Sequence, residues 1–215
     1  MHAKFPPSGA DRWLKCGYSV KMAEYFPSKE TPASKEGTRQ HAIAAFHLEN
    51  GTESNAPGLR TYLSTVRDCA NDGRLFVEKK VDIVPGHCWG TSDAVVVGED
   101  WISVLDLKWG TSLVTAIGNP QLKLYAIGAL REFLPDIADA VVCLTIVQPN
   151  AKGWPVKRWA TTAKKLFEFI PVVEAAIEEG LKADPKAVTG NHCYWCPAKL
   201  HCHAYLVGGN NKKVS

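Results

Sequence analysis

At 215 residues the chain is long enough for one domain with a sizeable core and a small appendage. With 46% hydrophobic and 22% charged residues its composition is that of a soluble globular protein, and no stretch nears the roughly 20 apolar residues of a membrane span. A net charge of +3 fits a nucleic-acid partner without requiring one.

The opening Met1-His2-Ala3-Lys4-Phe5-Pro6-Pro7 holds no apolar run of signal-peptide length. Seven cysteines without such a signal point to a reducing compartment, with thiols used as ligands or core residues. A cytoplasmic protein is expected. Residues 8–26 read as a short helix carrying Trp13, Leu14, Cys16 and Val20, and Pro27 and Pro32 break the chain after it. Ser34 to about Glu49 has helical spacing, with His41 inside it, and residues 58–72 form another helix after a polar turn. Three strand-like stretches follow at Leu75–Val84, Trp89–Val97 and Trp101–Trp109, separated by Pro85-Gly86 and Gly98-Glu99-Asp100. Pro120 opens a helix that runs through Phe133. Ala140–Val147 is a continuous apolar run suited to a strand covered on both faces, and Trp154–Thr161 suits a further strand. Thr162–Leu181 reads as one amphipathic helix that buries Leu166, Phe169, Ile170, Val173, Ile177 and Leu181. Residues 208–215 are expected to be a flexible tail to a single domain spanning 1–207.

Polar residues set into these apolar strands carry the chemistry. Gly90-Thr91-Ser92-Asp93 is followed, twelve intervening residues later, by Asp106-Leu107-Lys108. A carboxylate inside Val104–Lys108 is costly to bury unless a cation or partner compensates it. The short hairpin between the two strands brings both carboxylates side by side, and Lys108 shares the face of Asp106. Two acids and a lysine so placed suit metal-assisted phosphodiester hydrolysis: the acids hold a divalent ion, and the lysine orients water or balances charge. A strand-end aspartate paired with a lysine for stability is the rival reading of either acid alone, and the convergence of three charged groups weakens it. His41 offers a neutral imidazole to the same ion. Gln121 and Tyr125, four apart, share a helix face and suit a grip on phosphate or a sugar-base unit. At the far end, Cys193-x2-Cys196-x5-Cys202 supplies three thiolates, and Cys16 is the candidate fourth. Four cysteines suit an iron–sulfur cluster; zinc completed by His192, His201 or His203 is the alternative. Cys69, Cys88 and Cys143 lie in segments that read as core.

Assembled in this order, the motifs resemble the PD-(D/E)XK nuclease superfamily and, within it, the RecB-type exonucleases. Gly37 and His41 match its first motif, Gly90 and Asp93 its G-x-x-D, Asp106 and Lys108 its D/E-x-K, and Gln121 and Tyr125 its Q-x-x-x-Y. One cysteine near the start and three near the end are similar to the iron–sulfur nucleases of this group, the AddB nuclease domain and the CRISPR-associated adaptation nucleases among them. The stretch from Ser8 to Cys16 looks like phage-encoded members.

The resemblance implies an α/β, restriction-endonuclease-like core, with a central mixed sheet flanked by helices and the termini joined by a cysteine-ligated cluster (Cys16 with the 190–206 segment). It implies Mn2+ or Mg2+ held by His41, Asp93, Asp106 and the Leu107 carbonyl, with Asp93, Asp106 and Lys108 catalytic. It further implies a [4Fe-4S] cluster on Cys16, Cys193, Cys196 and Cys202, and DNA held by Gln121 and Tyr125. A DNA exonuclease of phage or bacterial recombination, repair or processing is therefore expected, acting on single strands or duplex ends. A recombination or replication protein is a candidate partner, and the oligomeric state stays open. A site-specific endonuclease and a non-catalytic nucleic-acid-binding or assembly module are the rivals.

Overall fold

A computed structural model describes residues 3–208. The chain order is α1 (Ala10–Trp13), α2 (Tyr18–Tyr25), α3 (Pro32–Glu49), α4 (Pro57–Ala70), β1 (Arg74–Val84), β2 (Cys88–Val97), β3 (Trp101–Leu107), α5 (Pro120–Phe133), β4 (Val141–Val147), β5 (Val156–Thr162), α6 (Ala163–Phe167), α7 (Ile170–Leu181) and α8 (His203–Gly208). The expected tail at 208–215 lies outside the described residues, apart from Gly208, which ends α8. No described helix is long and apolar enough to cross a membrane.

One five-stranded sheet, in the order β1-β2-β3-β4-β5, organises the molecule. β1, β2 and β3 form an antiparallel meander, β4 runs parallel to β3, and β5 returns antiparallel. The parallel step needs a crossover, which α5 supplies. This helix, three strands, helix, strand order, with a mixed sheet between helical layers, is the architecture expected of a restriction-endonuclease-like core. Each face of the sheet buries its own apolar cluster. α5, with Phe5, Trp13, Leu166 and Val173, covers Val81, Val95, Val104 and Leu144. α3 and α4 cover Ala94, Val96, Leu105 and Leu107 with Ala44, Leu59, Tyr62, Leu63 and Val66. Alternation along β2 and β3 thus sends adjacent residues to different cores.

Two close approaches depend on glycine. A Cβ at Gly128 would stand 2.8 Å from Val81 Cβ, so α5 lies tight against β1. A Cβ at Gly98 would collide with the Trp101 indole, which fills the β2–β3 turn.

Two expected helices are interrupted. The 8–26 segment is broken between Trp13 and Tyr18, where Gly17 lets α7 approach so closely that a Cβ would meet Glu179 Cγ at 2.9 Å. The 162–181 segment is two helices, because Pro171 sits in the first turn of α7 and cannot continue a helix from α6. Leu166, Val173 and Ile177 are buried as expected, while Leu181 at the end of α7 is exposed. The third strand stops at Leu107, two residues short of the expected Trp109. Just past that stop the Lys108 amide still donates to Val147 O at 2.8 Å, which fixes Lys108 at the end of β3.

Candidate active site

The β2–β3 ladder ends at the pair Ala94↔Leu105. Continuing its register by one residue would set Asp93 opposite Asp106. On the other side of β2, the pairs Val77↔Ala94 and Lys79↔Ser92 set Glu78 opposite Asp93. Three carboxylates therefore lie in one row across β1, β2 and β3. Like charges directly opposite on neighbouring strands repel, and here β2 and β3 stop pairing. The Leu107 amide, instead of pairing with β2 backbone, donates to Asp93 Oδ2 at 2.7 Å.

α3 brings the imidazole to this row. Its start is fixed by a reciprocal cap, with Ser34 N donating to Thr31 Oγ1 and Thr31 N donating to Ser34 Oγ, and by Pro32 in the first turn. Ala44 and Gln40 are its buried residues, and His41 Nδ1 lies 3.0 Å from Asp93 Oδ1. A Cβ at Gly37 would meet no atom within 4 Å, so this glycine relieves no clash. One ligand atom each from His41, Glu78 and Asp93 falls within 4.8 Å of the others, close enough to share one cation. Burial lowers the His41 pKa, but the hydrogen bond and charge of Asp93 outweigh it and leave the net shift upward. Burial and the charge of Asp93 push Glu78 up.

On the α5 side the polar groups form a chain. Lys108 Nζ lies 3.1 Å from Asp106 Oδ1 and 2.9 Å from Oδ2, but only the first contact has hydrogen-bond geometry. Asp106 Oδ2 is thus buried in an ion pair but without a hydrogen bond. The same ammonium donates to Gln121 Oε1 at 2.8 Å, and Gln121 Nε2 donates to Tyr125 Oη at 3.3 Å. Asn119 caps α5 by accepting from Leu122 N, which sets Gln121 and Tyr125 on the inward face. Gly90 makes room for this arrangement: a Cβ there would meet Pro7 Cδ at 2.9 Å and Tyr125 Cε1 at 3.1 Å. Tyr125 is buried, so it holds Gln121 in place rather than facing solvent. Burial raises the Asp106 carboxyl to about 6, against the pull of Lys108 and with the help of Asp93.

Every polar residue expected on the strands and α5 therefore meets at one end of the sheet. Two further residues belong there. Glu78 joins His41 and Asp93, and Tyr62 on α4 lines the same small cavity with Ala44, Ala45 and Leu107. Glu78 could have been found by counting register back across the hairpin. Tyr62 could not, since an apolar-face tyrosine in an amphipathic helix carries no signal of its own.

Cys16, Cys193, Cys196 and Cys202 line a second, separate cavity with Met22, His192 and Tyr205. Val188 N approaches Cys16 Sγ at 3.5 Å, tying the N-terminal segment to the C-terminal one. His192 is engaged through Nε2 with Val188 O at 2.9 Å. Burial raises the Cys193 thiol, against a bond from the Gly190 backbone and with the other three cysteines adding to it. Cys88 is core; Cys69 and Cys143 are half-buried away from this cavity.

Fold and site together define a helix-flanked mixed-sheet protein with an acidic cleft able to hold a cation. The chain belongs to the DUF2800 family, a protein family of unknown function whose profile matches residues 2–65 and 53–207. Among solved structures it is similar to SSO0001 (14% identity, TM-score 0.42, covering 93% of this chain and 85% of that one). It is also similar to a "putative exonuclease" from Eubacterium rectale (9%, TM-score 0.46, 98% and 89%) and to an alkaline exonuclease from Laribacter hongkongensis (14%, TM-score 0.34, 80% and 90%). At these values none of the three passes its activity to this chain.

The buried acid yields a prediction. An acid whose folded pKa is raised keeps its proton in the folded state between about pH 4 and 6, where the unfolded chain has released it. Stability from this group is therefore lost as pH rises through about 6. Asp106→Asn removes that cost, partly offset by the loss of a partner for Lys108. In chelator at pH 8 the variant should melt a few degrees above the parent, for a gain of about 1–2 kcal/mol. The gain should shrink toward pH 5. A lower melting point at pH 8 would contradict the assignment.

Proposed function

We propose that the chain is a divalent-cation-dependent deoxyribonuclease of the PD-(D/E)XK type that acts as an exonuclease. The observation supporting this most is the convergence of His41, Asp93, Asp106 and Lys108 where the β2–β3 ladder opens, with Asp106 Oδ2 buried, without a hydrogen bond, and compensated only by the Lys108 ammonium at 2.9 Å. A buried carboxylate oxygen that lacks a hydrogen bond and has a single ammonium beside it fits a cation ligand. His41, Asp93, Asp106 and the Leu107 carbonyl would hold Mn2+ or Mg2+. Such an ion polarises a phosphate and lowers the pKa of bound water. One imidazole among oxygen ligands favours manganese at least as much as magnesium.

The chain's own groups have distinct parts in this reading. The Leu107 amide fixes one oxygen of Asp93 and leaves the other toward His41. Lys108, held between Asp106 and Gln121, orients the attacking water and offsets charge that develops on the phosphate. Gln121 contacts DNA beside the scissile bond, and Tyr125 keeps the Gln121 amide turned correctly. DNA recombination, repair or processing in a phage or bacterial setting is the expected context. The four cysteines lining the second cavity suit a [4Fe-4S] cluster, while His192, with Nε2 on Val188 O and Nδ1 open, is the histidine that suits the zinc alternative.

Two outcomes check this reading. Lys108→Ala and Asp106→Asn should each lower cleavage by two to four orders of magnitude, on the order expected for one catalytic charge, while most DNA affinity persists. End-labelled linear DNA should be degraded and closed circles spared; cutting of circles would favour the endonuclease, and cutting of neither the binding module. Separately, protein purified without oxygen should be brown and carry about four irons per chain. Cys16→Ala should lose colour and solubility together. Stoichiometric zinc without iron would establish the alternative metal.

A further inference from the structure

The cavity beneath Asp93 contains two features that the nuclease reading leaves unused. The first is Glu78. It is the one non-glycine among the described residues with positive φ, at 46°, in the middle of β1. A left-handed backbone for such a residue is costly and persists where surrounding structure imposes it. Its carboxylate has no ion pair among the described residues, although lysines flank it. Lys79 pairs with Glu132, and Lys80 lies over the Trp89 ring at 4.4 Å. Glu78 instead faces Asp93, a like charge, across the hairpin.

The second feature is Tyr62. It is 1% exposed, and its hydroxyl has no hydrogen-bond partner. It lines the same cavity as His41, Glu78 and Asp93, from the buried side, whereas Glu78 reaches in from the exposed side. A buried hydroxyl without a partner is unfavourable. The opposed carboxylates and the orphan phenol around one small cavity share a remedy, a cation that binds the carboxylates and turns one of them toward the phenol. The left-handed backbone holds Glu78 at that place.

We propose that Glu78 is a direct protein ligand of the cation, beside His41 and Asp93, and that the Tyr62 hydroxyl is a positioning group that donates to one of the ligand carboxylates once the cation has drawn them together. This extends the cation-dependent reading above and shares its metal. It places the cation toward β1 and α3 and leaves Lys108 free to act at the phosphate from the other side of Asp106. One histidine with several carboxylates makes the cage suited to Mn2+.

The test is Mn2+ binding to the full chain without DNA, by calorimetry or by loss of the free-ion paramagnetic resonance signal, with melting curves in chelator alongside. Glu78→Gln should weaken Mn2+ at least tenfold, and Tyr62→Phe about tenfold, the scale of an outer hydrogen-bonding partner. Glu78→Gly guards against a folding artefact. It relieves the left-handed strain and the like-charge contact, so it should melt at or above the parent in chelator and still lose Mn2+. Tyr62→Phe should likewise melt no lower in chelator, yet gain less from added Mn2+. Parental Mn2+ affinity in both Glu78 variants would overturn the ligand, and parental affinity in Tyr62→Phe would overturn the positioning role. The nuclease reading fails separately, if the parent protein binds Mn2+ through Glu78 but cuts no DNA. Normal cleavage by the parent, with unaltered Mn2+ affinity in Glu78→Gln, would remove Glu78 alone.

Discussion

Repulsion among three carboxylates in one row of the sheet governs the rest of the site. Glu78, Asp93 and Asp106 occupy equivalent levels of β1, β2 and β3, next to the apolar Val77, Ala94 and Leu105. A continuous ladder at that level would press the acids together in a medium of low dielectric. β2 and β3 stop pairing there, while β1 and β2 stay paired on both sides, and each acid finds a different compensation. Asp93 takes the Leu107 amide and His41, Asp106 takes Lys108, and Glu78 takes neither lysine beside it. The opening so made is the cleft. Positive charge brought from outside the chain would complete the compensation.

Holding such a cleft open requires rigid walls. α5 lies against β1 because Gly128 permits it, and that contact keeps Gln121 and Tyr125 beside Lys108. Gly90 lets the first residues of the chain wedge Pro7 against Tyr125. Phe5 and Trp13 pack edge to face at 5.5 Å and cap the same core. The N-terminal segment is therefore part of the wall, and the contact of Cys16 with the 188–202 segment clamps it. The cysteine cavity is remote from the cleft in chemistry but coupled to it through this packing.

Much of this was legible in the sequence, for identifiable reasons. Residues that break a local rule, such as an acid in an apolar strand, announce a site wherever their neighbours are regular. Asp93, Asp106 and Lys108 stand out in that way, and Pro120 marks the start of α5 directly. Glu78 did not stand out, because Phe76-Val77-Glu78-Lys79-Lys80 is an ordinary strand edge until its register with Asp93 is known. The burial of Tyr125 was hidden by a spacing that fixes a helix face but not its direction. The break before α7 was signalled by Pro171, yet the apolar period on both sides of it runs on unbroken and masks the stop.

A cation seat at the opened ladder is the central feature of the molecule. Crystals soaked in Mn2+ and measured at the manganese absorption edge would locate it directly. One anomalous peak bonded to the His41 imidazole and the Asp93 carboxylate is the predicted result. The absence of a peak there at saturating Mn2+, with His41 and Asp93 still bonded to each other, would contradict it.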